Sequence, residues 1–253
     1  MAGHSKWANI KRQKARVDAK KGKTFTQLSR AIIVAARQGT PDPAGNFQLR
    51  TAIEKAKAAG IPHDNIDRAI AKGAGTFNSD DANYEEIRYE GYGAGGVAIL
   101  IEALTDNRNR TAADLREAFS KNGGNLGETG CVSWMFTQKG VVILTAEDVD
   151  EEALLEAAMA GEAESYDIIA DNNEIEVFTT VDNLERLSKI LQQEKFQVQE
   201  SELRWIPETE MALDDTTQLQ AVLKMIDALE ALDDVQNVTA NLAIAPNIDL
   251  TQL

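Results

Sequence analysis

The chain has 253 residues, 43% of them hydrophobic and 26% charged, with a net charge of −15. That balance excludes wholesale disorder, and the length allows two or three domains, each with its own core. One cysteine excludes an intramolecular disulfide and fits a reducing compartment, and no run approaches the ~18 apolar residues of a membrane span.

The acidity conceals a change of sign. Residues 1–75 hold 15 Lys and Arg against 5 Asp and Glu, a net of +10, whereas residues 76–253 hold 11 against 36, a net of −25. The basic end is densest in Gly3–Lys23, where eight cations face only Asp18 and are interleaved with Trp7 and Ile10. Lys and Arg neutralise phosphates and release counterions, and an indole stacks on an exposed base. The pattern therefore predicts a nucleic-acid contact through Lys6, Trp7, Lys11, Arg12, Lys14, Arg16, Lys20, Lys21 and Lys23, with Arg30 on the following helix. A basic tail folded onto the protein's own acidic surface is the alternative. With so few apolar residues the arm is expected to be mobile when free, and it lacks the apolar face that would dock a membrane. The start also lacks the apolar stretch of a secretory signal and the amphipathic pattern of a transit peptide, so a cytoplasmic protein is expected.

Three helices follow. Thr24–Gln38 opens with a Thr-x-x-Gln capping pattern and stops at Gly39. A second runs from about Asn46 to Ala59, and a third from Pro62 to Gly73, with Pro at the start and Gly at the end. The polar stretch 77–83 reads as a linker. Strands are then predicted at Ile87–Glu90 and Val97–Leu104, a helix at Thr111–Lys121, and strands at Cys131–Phe136 and Val141–Leu144. Beyond these come a helix at Glu151–Ala160, strands at Ser165–Ala170 and Glu174–Thr179, a helix at Leu184–Glu194 and a strand at Gln197–Trp205. A helix at Thr217–Leu232 and a strand at Val235–Ala240 complete the order.

Residues 141–205 therefore read β-α-β-β-α-β, the split βαβ order. The fold class expected is α+β multidomain: an N-terminal three-helix module, residues 1–76, followed by two ferredoxin-like α+β domains, one inserted in the other. The outer one comprises 84–138 plus 206–243, and the inserted one 139–205. An end-to-end arrangement of two α/β domains is the alternative.

Several motifs fail as chemistry. Gly91–Gly96 matches G-x-G-x-x-G, but the β-branched run from Val97 follows it where a dinucleotide site needs a helix N-terminus. A hairpin whose glycines allow positive φ is the simpler account. Cys131 sits in an apolar run without an activating His and reads as a buried core thiol. Two histidines and one cysteine make no ordinary zinc site or catalytic triad, so no catalytic residue, no metal, no cofactor and no small-molecule substrate is predicted. The loops Thr105–Thr111 and Asn122–Gly130 carry Asn107, Arg108, Asn109, Arg110, Asn125 and Glu128. They are either capping and turn chemistry or, gathered at one edge of a sheet, a second contact for RNA or protein. Asn109 or Arg110 would then stand just before the helix.

Six stretches carry a resemblance. Ala2–Lys11 (AGHSKWANIK), Ala52–Lys57, Asp64–Ile66, Tyr89–Gly93, Thr105–Thr111 and Gly123–Gly130 are similar, in order, to the YebC/PmpR family. The likeness is strong to about residue 140 and looser to about 240. It departs from the family at Ala94, where proline is frequent, and at Gln13, within a cluster that is usually more basic. The resemblance implies a helical N-terminal domain and two α+β domains, one inserted in the other, without catalytic residues or cofactor. It implies a DNA-binding transcriptional regulator, or a translation factor that grips ribosomal RNA. Relatives include the mitochondrial translational activator of cytochrome c oxidase, and bacterial members are linked to ribosomes stalled at proline runs. The acidic domains would then meet the ribosome or another protein.

Overall fold

The structure is a computed structural model that describes residues 21–75, 84–169 and 173–244. The arm through Lys20, whose mobility was expected, and the expected linker 77–83 lie outside the described residues. The rest forms two compact units. One comprises residues 136–208, and the other comprises the described residues before 136 and after 208.

The larger unit begins with helices α1 (Lys21–Gln38), α2 (Phe47–Ala58) and α3 (His63–Gly73). Helix α1 starts three residues earlier than its capping pattern suggests, so Thr24 lies inside it rather than at its boundary. Asn46 caps α2: its Oδ1 accepts from Leu49 N at 3.0 Å. Its amide group also donates to Ala35 O at 2.8 Å and Thr40 O at 2.9 Å, so one side chain closes the α1–α2 loop. Ile32, Ile33 and Ala36 of α1 pack with Leu49, Ile53 and Ile66 in a closed apolar core. Burying Ile32 and Leu49 contributes about 1.5–3 kcal/mol each.

The same unit continues through strand β1 (Glu85–Tyr92), β2 (Ala98–Thr105), helix α4 (Arg108–Lys121) and the two-residue strand β3 (Asn125–Leu126). Four antiparallel strands make its main sheet, in the order β3-β1-β2-β9, where β9 is Val235–Ala240. The β1–β2 turn holds Gly95 and Gly96 at φ 68° and 78°. That is the glycine-permitted hairpin, not a phosphate loop. Helix α7 (Thr216–Glu230), capped by Asp215, packs against α4. Two short strands absent from the sequence reading, β8 (Met211–Leu213) and β10 (Leu242–Ile244), pair in parallel.

The second unit runs β4 (Phe136–Thr145), α5 (Glu151–Ala160), β5 (Ser165–Ile169), β6 (Glu174–Thr179), α6 (Leu184–Gln193) and β7 (Val198–Pro207). Its antiparallel sheet has the order β5-β6-β4-β7, so β4 and β5, joined through α5, run parallel with β6 between them, and β6 and β7, joined through α6, run parallel with β4 between them. Asp150 caps α5, its carboxylate accepting from Glu152 N at 3.0 Å. The chain is thus α+β, with a helical N-terminal region followed by antiparallel sheets.

One expected strand does not form. Cys131–Phe136 bends, and Ser133–Met135 is a single 3-10 turn. Glu90 explains this. Its carboxylate, on a residue only 3% exposed, accepts from Gly130 N at 2.7 Å, Val132 N at 2.7 Å and Ser133 N at 2.8 Å. Those donors are the ones a strand partner would need. Cys131 is accordingly half-buried in a loop rather than in a core strand, and burial beside Glu90 pushes its thiol pKa up.

Candidate nucleic-acid interface

Of the basic residues predicted to meet phosphate, Lys6, Trp7, Lys11, Arg12, Lys14, Arg16 and Lys20 lie outside the described residues. Lys21 and Lys23 fall in the first turn of α1. Arg30 is placed inward, on the side of α1 that meets the α7–β9 connection. Its guanidinium donates to Asp234 Oδ1 at 2.7 Å and Asp233 O at 2.6 Å, and stands 5.2 Å from the centre of the Tyr84 ring. Helical spacing could not show this, because the carboxylate it meets is 204 residues away in sequence.

Asp234 is the hub of this part of the site. It is only 6% exposed. It accepts from Thr111 Oγ1 at 2.7 Å, Thr105 Oγ1 at 3.1 Å and Arg110 at 2.9 Å, besides Arg30. Burial alone would raise its pKa, but the hydrogen bonds from Arg110 and Thr111 and the charge of Arg30 outweigh burial and lower it. Arg110, which also binds Asp106 at 2.7 Å, has its pKa raised by the same contacts. Gln27 adds a hydrogen bond to Val235 O at 2.6 Å. Helix α1 is thereby fastened to the sheet at one carboxylate.

The loop 105–111 is therefore organised around capping and charge pairing. Asn107, not Asn109 or Arg110, is the N-cap of α4, accepting from Arg110 N at 3.1 Å. Thr105 Oγ1 accepts from Asn107 N at 2.9 Å. Arg108 and Asn109 remain on the surface, Arg108 lying 3.8 Å from Glu85.

In the loop 122–130, Asn125 pairs its main chain with Tyr92, while its side chain and that of Glu128 are exposed. Glu90 holds the far end of this loop, and burial, which would raise its pKa, is outweighed by the three main-chain donors, which lower it. Tyr92 Oη donates to Cys131 O at 2.9 Å, and Trp134, 70% exposed, donates to the same oxygen at 3.1 Å. Trp134 is an exposed aromatic that the strand reading concealed.

The two loops do not share one edge, contrary to the expectation from the sequence. Thr105 is opposite Glu85 at the start of β1, whereas Asn125 is opposite Tyr92 at its end. The 14 residues of α4 separate them by about 21 Å. A strand-helix-strand path that returns antiparallel to the neighbouring strand must put its two loops at opposite ends.

Two family models match the chain: the TACO1/YebC N-terminal domain over residues 5–76, and the TACO1/YebC second and third domain over residues 84–242. A protein of Picosynechococcus named as a probable transcriptional regulatory protein is 78% identical, over 97% of this chain and 98% of its own length. A protein of Nostoc with the same description is 70% identical over 98% of each. Among solved structures, a conserved hypothetical protein from Aquifex aeolicus aligns with a TM-score of 0.82 at 44% identity, covering 92% of this chain and 95% of that one. Among the described residues no helix is long and apolar enough to cross a membrane. The chain belongs to the TACO1/YebC family.

Proposed function

We propose that the protein is a non-enzymatic, cytoplasmic, nucleic-acid-binding regulator of the probable transcriptional type named for its relatives. The observation that carries this reading is the charge division: +10 over residues 1–75 against −25 over the remainder. The helical part, 1–76, makes the phosphate contacts, led by Lys6, Lys11, Arg12, Lys14, Arg16, Lys20, Lys21 and Lys23, with Trp7 available to stack. Arg30 acts as an anchor to Asp234, so it is set apart from that contact. Residues 84–138 with 206–243, and 139–205, form the two further domains, which shape the site or meet a protein. Arg108 and Asn109 on one loop, and Asn125 and Glu128 on the other, serve two separate contacts.

The test is binding of duplex DNA as a function of salt. With about eight phosphates engaged, log affinity falls against log salt with a slope of roughly −7. A chain lacking residues 1–23 loses binding, and binding that is indifferent to salt refutes the reading.

A second reading, translation on the ribosome, is favoured by the TACO1 name in both family descriptions. It predicts co-sedimentation with ribosomes that is lost on changing Lys11, Arg12 and Lys14 to Glu. A sequence-specific DNA footprint without ribosome association decides for the first.

A further inference from the structure

The sheet of residues 136–208 has one face under its helices and one facing away from them. Gly140 stands against Leu184 of α6, and Ser201 is hydrogen-bonded to Ser188 of α6 at 2.9 Å, so Gly140, Val142 and Ser201 mark the helix side. Strand alternation then puts Val141 and Ile143 on the other side. The register adds Phe178, opposite Val141, and Ile206 packs with the three.

This away face is acidic around that apolar centre. Glu176 and Glu200 flank Ile143, Glu202 flanks Val141, Glu174 is opposite Thr145, and Asp167 is opposite Glu176. Among the described residues, five carboxylates thus share the face with two cations: Arg204, which binds Glu176 at 3.0 Å and Glu202 at 2.6 Å, and Lys139 opposite it in the register. Lys139 is itself engaged, binding Glu164 at 2.6 Å. Two carboxylates directly opposed across strands, as Asp167 and Glu176 are, repel each other.

The centre of the face and two of its acids are nevertheless buried, while Asp167, Glu200 and Glu202 are half-buried. Val141, Ile143 and Phe178 are at most 5% exposed, and Glu174 and Glu176 at most 4%. Glu174, Glu176, Glu200 and Glu202 are all engaged in polar contacts. Burying an excess of carboxylates is tolerated only when cations accompany them. The segment of this chain with the matching composition is the arm, where residues 1–20 hold six cations and the apolar Trp7 and Ile10 against a single acid.

We propose that residues 1–20 dock on this away face of the β5-β6-β4-β7 sheet, with arm lysines and arginines on the five carboxylates and Trp7 or Ile10 over Val141, Ile143 and Phe178. The docked arm is unavailable to phosphate, so the face is an internal competitor of nucleic acid. The competition rests on the function proposed above; the docking does not.

The experiment uses the full chain at low salt with a carbodiimide, which couples lysine amines to carboxylates in contact, followed by peptide mapping. Lys6, Lys11 or Lys14 couples to Glu174, Glu200 or Glu202 within one molecule, and saturating duplex DNA or poly(U) removes those links. Links from the arm only to acids elsewhere, such as Glu151–Glu156, or only between two molecules, overturn the docking. Links undiminished by bound nucleic acid overturn the competition. The Glu174→Gln, Glu200→Gln double variant, which leaves the Arg204 pairs in place, binds either nucleic acid about three- to tenfold tighter, because the competent fraction of a two-state chain scales its apparent affinity. Unchanged affinity in a variant whose thermal melt matches the parent refutes the competition. A chain that binds neither probe removes the function proposed above, while the crosslink map still decides the docking.

Discussion

The two units are each built on four antiparallel strands, yet they treat buried carboxylates in opposite ways. In the larger unit every such group meets donors supplied by its own fold. Asp234 has Arg30, Arg110, Thr105 and Thr111, and Glu90 has three main-chain N–H groups. In the unit of residues 136–208, acids crowd one sheet face around Arg204. The first arrangement is self-contained and fixes loops and helices in place. The second gathers acids from β5, β6 and β7 on one face, with Arg204 and Lys139 among them.

The largest test of that contrast is Arg204→Leu. Removing the cation leaves Glu176 and Glu202 together in a buried setting, at a cost of about 4 kcal/mol in urea unfolding followed by a probe of this unit. A cost under ~1 kcal/mol would show that the acids are solvated and the face open. Asp234→Asn comes next, at about 3 kcal/mol, because Arg30 loses its buried counter-charge while the half-exposed Arg110 is partly screened by solvent. The detachment of α1 should also appear as faster amide exchange around Arg30 before global unfolding.

Acid should act on the larger unit through the same groups. Asp234 and Glu90 both titrate below the ordinary carboxyl range. A lowered folded pKa contributes stability that is complete above the unfolded value of about 4 and is lost as pH falls through the lowered values. The urea midpoint therefore declines below about pH 4, and Glu90→Gln flattens that decline. At neutral pH the same substitution costs about 1–2 kcal/mol, since an amide retains one acceptor for three donors. A midpoint unchanged between pH 6 and pH 3 would remove these two carboxylates as the acid-sensitive groups.

Much of this was legible in the sequence, for reasons that differ by element. Helices α2, α3, α5 and α6 and strands β6 and β9 show in spacing and caps, because their determinants lie within a few residues. The loop at Cys131–Phe136 did not, since the group that unmakes the strand, Glu90, lies about forty residues earlier and acts through its side chain. Arg30 was misplaced for the same reason. Its residue type suggests phosphate, and only the fold reveals Asp234. The short parallel pair β8–β10 has three residues per strand, too few for an alternation to register. The signal that could have exposed the Asp234 hub was the polarity of Thr105 and Thr111, which bracket a helix start but are fully buried.

The smallest effect separates packing from polarity in the unit of residues 136–208. Ser188 and Ser201 join α6 to β7 by one buried hydroxyl–hydroxyl bond of 2.9 Å. Ser188→Ala removes one partner and strands the other hydroxyl away from water, at a cost of about 1 kcal/mol. Adding Ser201→Ala removes the stranded group as well, so the double variant loses less than twice the single loss and regains part of it. Costs that simply add in the double-mutant cycle would mean that the two hydroxyls act independently. Coupling of about 0.5–1 kcal/mol would show that the helix side of this sheet satisfies its polar groups from within.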